Sequence, residues 1–372
     1  MMSGSPASGY AAARRFASFS PAMARNFPGE GGKGSASVSS FPSLFPCVSP
    51  RMDFDWNTLD ELRASYLNGT AGAADYWKTE ALLRGYDATF ARRIAWKWHW
   101  VFAELDRRGW TPPPGTALDY GCGTGVAVRE MMGKYPGFTS IALHDKSPRA
   151  LKFATETVRR EFPDAAVSPR LPDNCGLLLV SHVLTELDEA GTAELLAMAE
   201  KAQAVIFVEP GTYDASRRLI ALREKLRGAM HPVAPCVHSE TCGLLTAAND
   251  RHWCHFFAPP PNIVFTDGGW VKFGKIMGID LRSLPLSFLV LDRRAPAPLP
   301  AGSVRVLGHP RMYKAHVLLF GCDATGVAEK RLTKRTDAAF VKATGKERTP
   351  TLQRWETDGH DITRVEAGES GR

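Results

Sequence analysis

The sequence lacks any long apolar run. No stretch of about 18 consecutive apolar residues occurs, and the most apolar segments, around residues 176–181 and 286–291, have the length of strands. We therefore expect no membrane-spanning helix. The chain has 372 residues, of which 44% are hydrophobic, so it is long enough for two or three domains and apolar enough to fill a sizeable core.

Acidic residues are nearly missing from residues 1–51. Glu30 is the one acid in this segment, which is rich in Ser, Ala, Gly and Pro and holds four arginines. This composition is typical of a mitochondrial transit peptide. The alternative is a start at Met52, where the folded-looking sequence begins. Arg14-Arg15 also fits a twin-arginine signal, but no apolar stretch follows, so export is not predicted. We expect the bacterial cytoplasm, with the mitochondrial matrix as the alternative.

The seven cysteines include none of the closely spaced pairs that zinc fingers and ribbons use. An odd number also argues against a disulfide framework and favours a reducing compartment. Four of them, Cys236, Cys242, Cys254 and Cys322, fall in one third of the chain. Irregular spacing suits a [4Fe–4S] cluster, in which each cysteine binds its own iron. Histidines 238, 252 and 255 keep a mixed Cys/His zinc site open. The spacing predicts a metal without choosing which one.

Strand-like and helix-like periods alternate from residue 116 to about residue 228. This alternation predicts an α/β fold with a parallel sheet covered by helices. The predicted strands are 116–120, 139–144, 175–181 and 204–209, and the predicted helices are 124–135, 147–162, 188–201 and 215–228. Before the sheet, Trp96, Trp98 and Trp100 lie in a helical pattern; we interpret them as packing residues, although stacking on nucleic acid is an alternative.

Shifts in composition divide the chain into six parts. The predicted parts are a disordered or transit-like leader (1–51), an N-terminal helical segment (52–110), the parallel-sheet domain (111–230), a cysteine-rich segment (231–262), a small β-rich basic module (263–348) and a flexible tail (349–372).

A glycine-rich loop follows the first predicted strand. Gly121, Gly123 and Gly125 let the backbone turn tightly and approach a ligand closely. Asp119 precedes the loop, where its carboxylate can meet an ammonium group. Asp145 ends the second predicted strand, where it can bridge ribose hydroxyls. The order Asp-x-Gly-x-Gly-x-Gly resembles motif I of the class I S-adenosylmethionine methyltransferases, which implies that this loop binds S-adenosylmethionine.

The residues for methyl transfer itself are lacking. The (Asp/Asn)-Pro-Pro-aromatic tetrad that serves base amino groups is absent after the predicted strand 175–181, where the sequence reads Ser-His-Val-Leu-Thr-Glu-Leu over residues 181–187. A cysteine nucleophile for methylation at carbon 5 of a base is not supported either, because Cys122 lies inside the glycine loop and Cys175 precedes a buried strand. His182 or Glu186 could act as a base, but we interpret them as pocket-lining groups, so no catalytic residue is predicted.

Several motifs together resemble one family. The motifs are residues 235–243 (PCVHSETCG), 253–256 (WCHF), 321–322 (GC) and 208–212 (VEPGT), which occur together with the glycine loop. In this combination they are similar to the Rsm-type, methyltransferase-like small-ribosomal-subunit assembly factors over about residues 85–345. This resemblance implies a [4Fe–4S] cluster on Cys236, Cys242, Cys254 and Cys322, and binding to small-subunit rRNA and proteins with little or no methyl transfer. The second and third cysteines are farther apart than is typical, and Gly243 replaces a frequent proline.

Basic residues concentrate between residues 304 and 348, where ten Lys and Arg face four acids. We expect an rRNA-binding face there, centred on Lys330, Arg331, Lys334 and Arg335, although a solvated surface is the alternative for each residue. The expected protein is a monomeric assembly factor. An active rRNA methyltransferase is the second hypothesis, and a zinc-bearing small-molecule methyltransferase is the third.

Overall fold

The computed structural model describes residues 55–67 and 76–367. The leader expected at residues 1–51 therefore lies outside the described residues. The described chain forms an eight-stranded sheet with flanking helices, followed by a closed five-stranded barrel. No helix in these two ranges is long and apolar enough to cross a membrane.

The sheet has the strand order β3-β2-β1-β4-β5-β8-β6, with β7 also paired to β8. Its strands are β1 (Ala117–Tyr120), β2 (Ser140–His144), β3 (Ala166–Ser168), β4 (Cys175–Ser181), β5 (Ala202–Pro210), β6 (His231–Ala234), β7 (Phe256–Ala258) and β8 (Leu284–Asp292). The first five are parallel, and β8 runs antiparallel to β5 and β6. This is the sheet order of the class I methyltransferase fold, so the predicted fold is confirmed at that level.

Helices cover the sheet on both faces because its central strands are apolar throughout, as β4 shows with six consecutive buried residues. The helices are α1 (Trp56–Leu67), α2 (Glu80–Tyr86), α3 (Arg92–Arg107), α4 (Val126–Lys134), α5 (Pro148–Glu161), α6 (Glu189–Lys201), α7 (Tyr213–Leu226), α8 (Ile263–Thr266) and α9 (Gly268–Met277). A π-helical turn, Asp87–Ala91, joins α2 to α3. Helix α5 begins where the Ser147 side chain accepts from the Ala150 amide.

The tryptophans of the α3 region pack inside the protein. Trp96 contacts Trp270 with ring centroids 4.9 Å apart, and Trp100 contacts Phe288 at 5.5 Å. Trp98 is fully buried and donates to the Ser181 hydroxyl over 3.1 Å. The packing interpretation of these residues is therefore confirmed.

The barrel is formed by the C-terminal part of the chain. Its elements are β9 (Ser303–Met312), β10 (His316–Asp323), β11 (Gly326–Thr333), α10 (Lys334–Thr344), β12 (Leu352–Asp358) and β13 (Asp361–Ala367). Val317, Leu319, Leu332 and Trp355 are among the side chains that fill its interior.

Three expectations about the C-terminal part are wrong. Residues 263–277 form α8 and α9 rather than strands, because Trp270, Phe273 and Met277 recur at helical spacing and are all buried. The expected flexible tail contains β12 and β13, which close the barrel. Of the fourteen residues of these two strands, Leu352, Gln353, Trp355 and Ile362 are buried, so the strands are mostly polar in sequence and resemble a tail. Strand β8, also assigned to the module, belongs to the large sheet.

Candidate functional site

The glycine loop lies between β1 and α4, with positive φ at Gly121, Gly123 and Gly125. A Cβ at Gly121 would lie 2.5 Å from a methyl group of Val183, so that position is closed by packing. Nothing lies within 4 Å of a Cβ at Gly123, whose φ is +53°. The loop therefore leaves open space above Gly123 while its backbone disfavours any side chain there.

The two predicted carboxylates flank this loop. The Gly123 amide donates to Asp145 Oδ2 over 2.8 Å, and the Ser147 amide donates to Asp145 Oδ1 over 2.9 Å. Asp119 is fully buried; its Oδ2 accepts from the Val128 amide over 3.2 Å, and its Oδ1 has no partner among the described residues. Burial raises the pKa of Asp119 to about 7 and also raises the pKa of Asp145. Asp119 Oδ1 is thus an acceptor in need of a donor.

A second polar group lies beside the loop, at the carboxyl ends of β4 and β5. Lys97 Nζ is 3.3 Å from His182 Nε2, and burial lowers the pKa of Lys97 to about 7. Glu209 is fully buried, and its Oε1 accepts from the amides of Val183 and Leu184 over 3.0 and 3.3 Å. Burial raises the pKa of Glu209 to about 8. Lys97 could not be recognised as a site residue from the sequence, because it lies outside the apolar positions of α3 and so resembles a solvent-exposed lysine.

Glu186 completes the same edge of the sheet. Its carboxylate accepts from the Tyr76 hydroxyl over 3.1 Å and lies 3.9 Å from Lys146 Nζ. Burial raises the pKa of Glu186 to about 7. Together with Asp119, Asp145 and Glu209, it gives this edge four carboxyl groups whose proton affinity is increased by burial, which is a feature of binding and catalytic sites.

The four predicted metal ligands come together at a place separate from the glycine loop. Cys236, Cys242, Cys254 and Cys322 all line one cavity, which has room for several water-sized groups (about 40 Å³). Cys236 follows β6, Cys254 precedes β7, and Cys322 lies in β10 of the barrel. The cavity therefore joins the sheet domain to the barrel.

Three basic residues, Arg223, His238 and Arg305, line the cavity. Arg223 Nε lies 3.3 Å from Cys236 Sγ, and His238 Nε2 lies 3.7 Å from Cys322 Sγ. Arg305 also lines the cavity; it bonds to Glu104 and to the Pro235 carbonyl, and its Nη2 is buried without a partner among the described residues. Arg305 is thus unavailable to RNA, contrary to its place in the predicted basic stretch.

Three thiols of this cavity, those of Cys254, Cys322 and Cys242, are hard to ionise on their own. Burial raises the pKa of Cys254 far above its ordinary value, and thiolates at Cys236, Cys322 and Cys242 would raise it further. Burial raises the pKa of Cys322 and of Cys242 as well. In the described ranges, no three His, Cys, Asp or Glu side chains lie close enough to hold a single metal ion. The metal expected from the sequence is therefore not apparent as a one-ion site.

The predicted RNA-binding residues lie on the barrel. Arg331 forms two hydrogen bonds with the Asp361 carboxylate, at 2.6 and 2.7 Å, and Lys330 Nζ donates to the Gly359 carbonyl over 2.7 Å. Lys334 and Arg335 begin α10, are exposed, and make no ion pair with any described residue. The four residues thus share one region, but only part of their charge is free.

Comparison with solved structures finds methyltransferases. A putative RNA methyltransferase from Pyrococcus horikoshii is 10% identical, covers 56% of this chain and 86% of its own, and has a TM-score of 0.33. A precorrin-6y C5,15-methyltransferase from Geobacter metallireducens is 10% identical, with 52% and 88% covered and a TM-score of 0.33. The plantazolicin methyltransferase BpumL in complex with SAH is 12% identical, with 64% and 100% covered and a TM-score of 0.32.

No curated protein matches the chain. The family model described as mitochondrial small ribosomal subunit Rsm22 matches residues 101–348. This range spans the glycine loop, the four clustered cysteines and most of the barrel, and it covers more than half of the chain. The protein belongs to the Rsm22 family.

Proposed function

We propose that this protein is a methyltransferase-fold assembly or translation factor of the small ribosomal subunit, which binds S-adenosylmethionine, a [4Fe–4S] cluster and rRNA. The observation that carries this proposal is the family match over residues 101–348, whose description names the mitochondrial small ribosomal subunit. That description favours the mitochondrial matrix over the bacterial cytoplasm that we expected. We keep the expectation of a monomer.

S-adenosylmethionine is proposed to bind at the glycine loop. Its ammonium group would take the unpartnered Oδ1 of buried Asp119 as its acceptor. Asp145 would accept from the ribose hydroxyls while its backbone hydrogen bonds hold the carboxylate in place. Gly121, Gly123 and Gly125 would leave the space that the cofactor fills. When bound, S-adenosylmethionine supplies an electrophilic methyl group.

The cluster is proposed to be held by Cys236, Cys242, Cys254 and Cys322. A [4Fe–4S] cluster binds each thiolate to a different iron, so its cysteines lie farther apart than the ligands of one zinc ion. Four thiols around one cavity match the number of ligands that a [4Fe–4S] cluster takes. The side chains around the cavity also suit the negative charge of such a cluster, because Arg223 and Arg305 place positive charge beside the four thiolates. The cluster would link the barrel to the sheet domain.

The missing base-amine tetrad supports a binding role with little or no methyl transfer. One observation favours the alternative of an active rRNA methyltransferase. Lys97, Glu186 and Glu209 have pKa values of about 7, 7 and 8, and groups of this kind can exchange protons near neutral pH.

Sedimentation of the full chain with purified small ribosomal subunits, in the presence of S-adenosylmethionine labelled on its methyl group, tests both candidates. The proposal predicts co-sedimentation with label bound to protein and absent from RNA. Label in the rRNA would establish the active enzyme instead. Failure to sediment with the subunit would overturn both.

A further inference from the structure

The barrel has the strand connections of an oligonucleotide-binding fold. Its strands are arranged in the order β10-β11-β13-β12-β9, and the barrel closes where β9 pairs with β10. The first strand, β9, pairs with the second and fourth strands, and the third and fifth strands, β11 and β13, pair in parallel. A helix, α10, connects the third strand to the fourth. Five-stranded barrels of this kind bind oligonucleotides on strands 2 and 3 and on the loops 1–2 and 4–5.

In this chain, that face comprises β10, β11 and the loops 313–315 and 359–360. Val317 and Leu319 are buried in the barrel interior, so His316, Leu318, Phe320 and Cys322 alternate onto the outside of β10. The half of the face near Cys322 is covered by the cysteine-rich segment. His252 packs on Phe320 at 4.5 Å, and Asn249 Nδ2 donates to the Val327 carbonyl over 3.2 Å.

The other half of the face remains exposed and carries a stacked pair of rings. Tyr313 and His316 lie 4.7 Å apart with an interplanar angle of 10°, and Tyr313 is 47% exposed. The Tyr313 amide donates to the His316 carbonyl over 2.9 Å, which holds the loop between the two rings closed. Bases of single strands stack on exposed rings of this kind, whereas paired bases in a duplex are not accessible to them.

Unpaired cations lie around this ring pair. The Lys334 amide donates to the Ala315 carbonyl over 2.9 Å, which brings the start of α10 against the loop 313–315. Lys314, Lys334 and Arg335 are exposed and form no ion pair with the described residues. Arg311, in the neighbouring strand β9, is neutralised by Glu329, and Arg331 of β11 is neutralised by Asp361. The free positive charge is therefore concentrated beside Tyr313.

We propose that this exposed half, which we call the Tyr313 face (Tyr313, His316, Lys314, Lys334 and Arg335), binds a short single-stranded RNA segment. A base of this segment stacks on the outer face of the Tyr313–His316 ring pair, and the three cations contact the phosphates of the segment. Because the cysteine-rich segment covers the rest of β10 and β11, the site holds few nucleotides, at the lower end of the roughly 4–16 nucleotides that one such fold covers. That the single strand is RNA rather than DNA rests on the proposed function, whereas the proposal that the Tyr313 face binds a single strand does not.

The test is fluorescence anisotropy of the full chain with a labelled single strand of about ten nucleotides, and with the same sequence as a duplex. Tyr313→Ala should weaken single-strand binding roughly tenfold, the loss expected for one stacked base. Tyr313→Phe should retain the affinity because it keeps the ring. The matched control is Phe265→Ala, which removes a 58% exposed ring from α8, outside the barrel.

Equal single-strand affinity of Tyr313→Ala and Phe265→Ala would overturn the inference, and so would wild-type binding that is tighter for the duplex. Sedimentation with small ribosomal subunits separates this failure from that of the proposed function. Wild-type co-sedimentation with unchanged single-strand binding in Tyr313→Ala refutes the Tyr313 face alone. Weaker single-strand binding in Tyr313→Ala, together with no co-sedimentation of the wild type, supports the Tyr313 face and refutes the ribosomal role.

Discussion

The guanidinium of Arg223 connects the first cysteine of the cavity to the loop that follows it. Its Nε lies 3.3 Å from Cys236 Sγ, while its Nη2 donates to the carbonyl oxygens of His238 and Glu240 over 3.1 and 2.8 Å. The side chain is 3% exposed. This one residue therefore fixes the backbone between Cys236 and Cys242 and places a positive charge against the thiols.

Arg223→Ala should lower the free energy of unfolding by about 1–3 kcal/mol, because it leaves the carbonyl oxygens of His238 and Glu240 without their donor and removes one of the two cations that contact Glu224. Urea unfolding measures this change. Arg282→Ala is the matched control, since Arg282 is 81% exposed and pairs with Asp280, and it should cost about 0–1 kcal/mol. Equal stability of the two variants would show that Arg223 does not brace the loop.

Gly123→Leu should weaken S-adenosylmethionine binding by roughly tenfold or more, a loss of about 1.4 kcal/mol. The new side chain would occupy the open space above the loop at a φ of +53°. Isothermal calorimetry measures the affinity. Gly137→Leu, at a glycine that also has nothing within 4 Å, is the control and should bind normally. Retained binding in Gly123→Leu would refute the loop assignment.

Glu209→Gln should stabilise the protein at alkaline pH. The pKa of Glu209 is about 8 when folded, against an ordinary value of 4.5. The folded state therefore keeps this proton where the unfolded chain releases it, so wild-type stability declines as pH rises from about 4.5 to about 8. Glutamine keeps the oxygen that accepts from Val183 and Leu184 but does not ionise.

The advantage of Glu209→Gln should be small at pH 5 and reach at least about 1 kcal/mol at pH 8.5. Chemical denaturation across this range measures it, with the exposed Glu80→Gln as the control. A difference that does not change with pH would mean that Glu209 ionises at an ordinary pH in the folded protein.

Lys334→Glu combined with Arg335→Glu should weaken RNA binding and make it less sensitive to salt. Each lost phosphate contact lowers the slope of log affinity against log salt by about 0.7 for a single strand. Lys152→Glu with Arg160→Glu reverses two exposed charges on α5 and is the control. The same affinity in both double variants would rule out the start of α10 as a phosphate site.

Cys254→Ser should leave the protein poor in metal and lower its melting temperature, because cluster binding would contribute to folding. Cys175→Ser removes a buried thiol of β4, outside the cavity, and should keep the metal. Calorimetry and metal analysis of the two variants provide the comparison. A Cys254→Ser protein with wild-type metal content and melting temperature would exclude Cys254 as a ligand.

The sheet could be predicted from the sequence because its parallel strands are buried on both faces and read as apolar runs, as in β4. The closure of the barrel by β12 and β13 could not be predicted from the sequence. Strands β12 and β13 mix a few buried residues, such as Leu352 and Trp355, with many charged ones and follow a basic helix, so their composition resembles that of a tail. Strand β3, with three residues and one buried side chain, is too short to give a pattern.

The candidate site shows the same limit. The glycine loop carries a local motif, so its residues can be recognised by order alone. Lys97 and Arg223 carry no such signal, because each acquires its role from a residue that only the fold brings close, His182 for the first and Cys236 for the second. Cys322 falls in the same third of the chain as the other three cysteines, but 67 residues separate it from Cys254, so its role as the fourth ligand of one cluster is implied by the family resemblance.

Iron, sulfide and zinc content, measured on the full chain purified without oxygen, decides what the four cysteines hold. We predict about four irons and four sulfides per chain, with little zinc. One zinc ion and no iron would contradict the proposed cluster.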